Sequence, residues 1–127
     1  MKFAEAINAN ERYREAGKDF VGRIRFVVRG DIGSANLKLG ELSMASLELV
    51  HGKCVYILTG DNFAEVSADF VLDAGASMWE SVISGEDDFF TAILDGRIEF
   101  TGDMKKIIPH LEAAAELIYT AREMIAP

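Results

Sequence analysis

The chain has 127 residues and a mass of 14.0 kDa, half of its residues are apolar, and its formal net charge is −8. This length suits one compact domain over residues 1–127, since two would each bury too little surface, and the acidic balance argues against nucleic acid as a partner, because phosphate neutralisation needs a basic surface. No run reaches the roughly 18 consecutive apolar residues of a membrane span, the charged start lacks the apolar stretch of a signal peptide, and Cys54 has no disulfide partner, so a cytoplasmic protein is expected.

In the first 17 residues Phe3, Ala6, Ile7, Tyr13 and Ala16 recur at helical spacing among Glu and Arg, and Gly17 offers a stop, which predicts one amphipathic helix. Residues 22–29, "GRIRFVVR", alternate: Ile24, Phe26 and Val28 share one face and Arg23, Arg25 and Arg29 the other, as in a half-buried strand with one wet face. After the turn "GDIG", the segment "ANLKL" aligns Ala35, Leu37 and Leu39 and reads as the return strand of an antiparallel hairpin. "MASLELV" and "CVYILTG" form a second pair around a turn at His51–Lys53 that contains Gly52. "CVYIL" is apolar on both faces and so calls for cover on both. "EVSADFVLD" then sets Val66, Ala68, Phe70 and Leu72 against Ser67, Asp69 and Asp73.

Helical spacing returns with Met78, Trp79, Val82 and Ile83, is broken by Gly85, and resumes with Phe89, Phe90, Ile93 and Leu94. Glu86, Asp87 and Asp88 are expected in the first turn of that second helix, where the dipole favours negative charge. Asp95 and Gly96 end it, and "RIEFT" forms a last strand with Ile98 and Phe100 against Arg97 and Glu99, Arg97 being read as solvated in preference to a partner for Glu99 and Asp103. Asp103 caps a short turn, Pro109 takes a first-turn position, and Leu111, Ala114, Ala115, Ile118, Ala121, Arg122 and Ile125 continue a long helix whose wide apolar surface requires burial on two sides. Strands grouped before helices predict an α+β domain: about five strands in a mostly antiparallel sheet, with helices packed on one face.

Catalytic patterns are not recognisable. His51 and Cys54 flank a predicted turn with no third group to complete a nucleophile arrangement, His51 and His110 lack zinc-ligand spacing, "GEDD" and "GDN" lack the alternating oxygen ligands of a calcium loop, and "RGDIG" is not placed as a phosphate loop. The expectation is a protein that is not an enzyme and carries no metal or cofactor.

Residues 67–104, "SADFVLDAGASMWESVISGEDDFFTAILDGRIEFTGDM", resemble the C-terminal half of the sterol carrier protein type 2 domain. Ala68, Asp69, Trp79, Gly85, Phe90, Ala92, Gly96, Arg97, Ile98, Phe100, Gly102, Asp103 and Met104 follow that family's order and spacing. The likeness is strongest over 66–104 and, with the weaker match of the arginine strand, covers most of 20–105. Two departures touch the cavity walls: "ELSMASLELVHGKCVYILTG" stands where a shorter connection is expected, and the helix after Met104 is longer than in many members. Ligand identity is therefore not carried over.

The resemblance implies a hydrophobic tunnel between sheet and helices that holds a sterol, a fatty acyl chain or another lipid non-covalently. In this chain its walls would come from Phe70, Leu72, Trp79, Val82, Ile83, Phe89, Phe90, Ile93, Leu94, Ile98, Phe100 and Ile118. Arg23, Arg25 and Arg29, helped by Arg12 or Arg14, would meet an anionic headgroup, an acidic partner or, transiently, an anionic membrane surface; their plain alternative is a solvated strand face. The alternative to a carrier is an interaction module of the same fold without a physiological lipid ligand, forming a homodimer or docking on a partner enzyme through its sheet edge or final helix.

Overall fold

The computed structural model describes residues 2–30, 43–60 and 67–125. Five strands, β1 Val21–Arg29, β2 Ser43–Val50, β3 Lys53–Gly60, β4 Phe70–Gly75 and β5 Glu99–Thr101, form one sheet in the order β3-β2-β1-β4-β5. β1 runs parallel to β4, and the other neighbours are antiparallel, as the sequence predicts for most of the sheet. The antiparallel neighbour of β1 is β2; the return strand expected at 35–39 lies outside the described residues, as does Val66.

Register brings Ile24, Phe26 and Val28 level with Phe70, Leu72 and Ala74, and sets Leu47 beside Ile24 and Phe100 beside Leu72. This is the apolar face of the sheet. The opposite face is less wet than alternation suggests: Val27 and Ser46 are buried on it between the arginines.

The sequence between Asn8 and Gly17 corrects the first helix. Two helices form there, α1 Lys2–Ala9 and α2 Glu11–Ala16, because Asn10 adopts extended backbone and its side-chain oxygen accepts hydrogen bonds from the Arg12 and Tyr13 amides. An N-cap therefore interrupts the pattern. α1 is tied to β3 by Asn8, whose amide donates to the Cys54 carbonyl at 3.0 Å and whose oxygen accepts from the Cys54 amide at 2.8 Å.

β2 and β3 join through a two-residue turn with His51 at φ 48° and Gly52 at φ 82°. Glycine is required at the second position twice over, since a Cβ on Gly52 would also stand 2.5 Å from the Arg14 carbonyl oxygen. A bulge between Glu48 and Leu49 shifts the register, so that Tyr56 pairs with Glu48 and Cys54 with Leu49. Val55 is the extra residue, and Val55 and Tyr56 are 56% and 53% exposed. The expected cover on both faces of this strand is thus not found at these positions, for β3 is an edge strand.

Five further elements complete the chain: α3 Ala76–Ser84, α4 Phe89–Leu94, α5 Met104–Ile107, a 3-10 turn at Ile108–His110 and α6 Leu111–Ile125. Asp103 caps α5 by accepting from the Lys105 amide. α6 lies in the middle of the helical layer, where Ala113, Ala114, Ala115, Glu116, Leu117, Ile118 and Thr120 are all buried. The wide apolar surface of this helix is buried as predicted, against α1, α2, α3 and α4.

Candidate functional site between the helical layer and the sheet

α3 crosses the apolar face of the sheet with Trp79 inward. The indole N–H donates to the Val27 carbonyl at 2.8 Å, and the ring meets Phe26 edge-on at 5.7 Å. The single polar atom of this side chain is thereby satisfied inside an apolar layer. Gly85, at φ 91°, ends α3 in the left-handed conformation. Asp88 then starts α4 by accepting from the backbone N–H and the hydroxyl of Thr91. Of the three acids expected in the first helical turn, Asp88 is the cap itself and Glu86 and Asp87 precede it.

α6 passes close to both short helices. The Arg122 guanidinium donates to the carbonyls of Ile83 and Val82 at the end of α3, the second of which also accepts from the Gly85 amide, and stacks over Tyr119. Between the α3–α4 connection, α6 and the start of α2 lies a cleft of about 730 Å³. Val82, Phe89 and Ile118 give it apolar surface, and Arg12, Glu86, Asp87, Asp88, Glu116, Tyr119, Arg122 and Glu123 give it a polar rim. The volume falls within the roughly 300–1,000 Å³ of small-molecule sites. Rim charges are largely paired: Arg12 bonds Glu116 at 3.2 Å and Glu123 at 3.4 Å, and Asp87 bonds Arg97 at 3.0 Å. Arg97 also bonds Asp95 at 2.9 Å, so the solvated reading of Arg97 gives way to an ion-paired one, the acidic partner standing two residues earlier in the turn.

On its sheet side, α6 presents Ala113, Ala114 and Leu117 to Tyr13, Phe20, Ile24, Leu49 and His110 across an apolar gap too narrow to hold a water molecule. Ile118 of the cleft and Leu117 and Ala114 of the gap belong to one stretch of the helix, within about 6 Å along its axis. Aromatic rings continue the gap over the sheet: His110 to Phe20 at 5.0 Å, Phe20 to Phe70 at 6.1 Å, and Phe70 to Phe100 at 5.9 Å. Tyr13 is fully buried, burial pushes its phenol well above the usual range, and its hydroxyl has no hydrogen-bond partner among the described residues.

Phe70, Leu72, Trp79, Val82, Phe89, Ile93, Ile98 and Ile118, all expected as tunnel walls, are buried in one core, with Ile83, Phe90 and Phe100 packed against it. These side chains close on one another, and an open tunnel between sheet and helices is not seen among the described residues. Leu94 departs from the expectation: it is 80% exposed, because the six-residue α4 turns Phe89, Ala92 and Ile93 inward and leaves Leu94 on the other side. Periodicity did not single out Phe20, Leu49, His110, Ala113 or Leu117. Small residues on α6 opposite aromatic ones were the available signal, and reading it requires knowing which elements face each other.

The three strand arginines are engaged with their neighbours. Arg23 reaches Glu48 at 3.4 Å and the Ser67 carbonyl at 3.0 Å, Arg25 reaches the Ser46 hydroxyl at 3.1 Å, and Arg29 grips Asp73 through two bonds of 2.9 and 2.7 Å. Arg14 donates to the Asn8 carbonyl. Away from the helices, His51 places Nδ1 2.9 Å from the Lys18 carbonyl oxygen, while the Cys54 thiol is pushed above its usual pKa by burial and leans on the Tyr56 carbonyl. A protonated, buried thiol is a poor nucleophile. No helix among the described residues is long and apolar enough to cross a membrane.

No family model and no curated protein matches the chain. Solved structures do match. A crystal structure of sterol carrier protein 2 is 29% identical, covering 95% of this chain and 91% of that one, with a TM-score of 0.81. The solution structure of a Thermus thermophilus protein, described as possibly a sterol carrier protein, is also 29% identical, covering 95% and 82%, with a TM-score of 0.78. Two others share the fold at lower identity. Sterol carrier protein-2 from Aedes aegypti, solved with the C16 fatty acid palmitate, is 13% identical over 94% and 93% of the two chains, with a TM-score of 0.53. The ubiquinone synthesis protein UbiJ-SCP2 is 14% identical over 97% and 86%, with a TM-score of 0.55.

Proposed function

Because the chain is a sterol carrier protein 2-like domain, we propose that it is a non-catalytic binding or carrier protein for an apolar or amphipathic small molecule of the lipid class. The observation that carries this reading is the convergence of Val82, Phe89 and Ile118 on a cleft of about 730 Å³ that backs directly onto the aromatic core. A ligand entering there sends its apolar part under α6 towards the sheet. Each methylene withdrawn from water contributes about 0.8 kcal/mol, so chain length governs affinity more than headgroup does. Binding of palmitate by the Aedes aegypti protein of the same fold supports a long acyl chain as a first probe.

Native mass spectrometry of the purified protein tests the reading directly, and a lipid adduct is the expected result. Added palmitate should also alter Trp79 fluorescence and, at a hundredfold excess over Kd, stabilise the fold by about 2.7 kcal/mol. No adduct, no change in Trp79 and no thermal shift across the soluble range of fatty acids and sterols would remove the carrier reading. A second reading, an interaction module that forms a homodimer or docks on an enzyme, is favoured by the closed packing of the core. Sedimentation separates its versions: a strict monomer rules out an obligate homodimer.

A further inference from the structure

Beneath α6 one polar group breaks the pattern set by its neighbours. Asn10, just before α2, donates to Glu116 and to the Thr120 hydroxyl; the Thr120 hydroxyl donates to the Glu116 carbonyl; and the Cys54 thiol faces the Tyr56 carbonyl. Buried polar groups in this part of the molecule are paired, as folded proteins require. The Tyr13 hydroxyl is the exception: its residue is 0% exposed, and the hydroxyl has no partner among the described residues. Tyr13 borders the apolar gap, which is too narrow for a water molecule to satisfy the hydroxyl from that side. The helix wall of the gap is built from Ala113 and Ala114, the smallest side chains that still support a helix.

We infer that the Tyr13 hydroxyl is the polar anchor at the inner end of the ligand site, holding the single neutral oxygen, hydroxyl or carbonyl, of an amphipathic molecule whose chain lies between α6 and the sheet. This rests on the lipid-binding reading and specifies its ligand. The neutral class follows from the lining. Apart from Tyr13 and His110 it is apolar, with no Lys, Arg, Asp or Glu, and the His110 ring is packed edge-on against Phe20. An ionised carboxylate taken into such a place would lose its hydration with no cation to replace it, whereas a neutral oxygen needs only the one donor that Tyr13 supplies. The phenol remains a donor throughout the physiological range, because burial opposes its ionisation.

The test uses the full chain, wild type and Tyr13→Phe, with decanol, decane and decanoate delivered from cyclodextrin at a pH where decanoate is ionised. Wild type is expected to bind decanol about two- to tenfold more tightly than decane, the worth of one hydrogen bond, and more tightly than decanoate. Tyr13→Phe should bring decanol down to the level of decane while leaving the ligand-free protein as stable as before or more so. As a readout independent of the variant, the Cζ resonance of ¹³C-labelled Tyr13 should move with decanol and not with decane. A variant that keeps the preference for the alcohol, a Cζ resonance indifferent to decanol, or tighter binding of decanoate would overturn the anchor and leave lipid binding standing. Failure of all three probes to bind wild type would remove both.

Discussion

The cleft outside α6 and the gap beneath it share one helix but treat polar groups in opposite ways. In the cleft polar atoms are numerous and largely paired: Arg12 with Glu116 and Glu123, Asp87 with Arg97, Asp88 with Thr91, Arg122 with two carbonyls of α3. The gap has few polar atoms, and one of them, the Tyr13 hydroxyl, is unpaired among the described residues. A count of charges would select the cleft as the specific half of the site. Pairing reverses that order, since a satisfied ion pair at a wet rim gains little from a ligand, whereas a buried donor without an acceptor gains a full hydrogen bond.

The largest expected effects ask whether cleft floor and gap wall belong to one core. Phe89→Ala on the cleft side should cost about 3–5 kcal/mol and Leu117→Ala on the gap side about 2–5 kcal/mol in urea denaturation, both residues being almost wholly buried. A cost well under 1 kcal/mol at either position would show that its side is not part of the folding core, and would break the comparison there.

Asn10→Ala should follow at about 1–2 kcal/mol, because one side chain both caps α2 and bonds to Glu116 and Thr120 of α6. Loss of the cap alone would resemble the effect of any surface N-cap. A larger cost, reduced when Thr120→Ala is already present, would show in a double-mutant cycle that the cap and the anchor to α6 act together.

Tyr13→Phe is expected to change stability by about 1 kcal/mol or less at neutral pH, in the stabilising direction, since it removes an unpaired polar atom without changing shape. Its pH dependence sharpens the contrast. Burial raises the folded phenol above its ordinary value of 10.0, and the unfolded chain therefore ionises first. The stability tied to the neutral phenol is present in full below pH 10.0 and is lost as pH rises through that value towards the folded one. Wild type should accordingly lose more stability than Tyr13→Phe between neutral pH and pH values above 10.0, and parallel profiles for the two would contradict a buried, unpaired hydroxyl.

The smallest effect belongs to the far face of the sheet. Replacing Arg23, Arg25 and Arg29 together by Gln should change association with anionic vesicles little, because Glu48 and Asp73 already lie against Arg23 and Arg29. A marked fall in the association rate at low salt that disappears at high salt would instead make this face the one that meets headgroups.

Much of the architecture is written locally. Alternation along 21–29 distinguishes the apolar from the arginine face, the Gly52 turn joins β2 to β3, Gly85 ends α3, and Asp88 and Asp103 cap the helices that follow them. Each depends on the conformational limits or hydrogen-bonding reach of a few consecutive residues, and the ordered glycines and aromatics of 67–104 carry the family likeness for the same reason.

Tertiary structure decided the rest. Asn10 interrupts a helical pattern that its own neighbours would continue, and its side chain meets partners 106 and 110 positions away. Leu94 has the right spacing for the stripe of Phe90 yet faces water, because α4 packs through Phe89, Ala92 and Ile93. A bulge on an edge strand exposes Val55 and Tyr56 together, although the apolar run around them suggested cover on both sides. Tyr13 belongs to an ordinary amphipathic repeat in the sequence, and its hydroxyl acquires meaning only when the fold buries it beside Gly17 without an acceptor among the described residues. Periodicity records which side of an element is apolar, but whether a polar atom on that side is satisfied depends on what the fold brings opposite it.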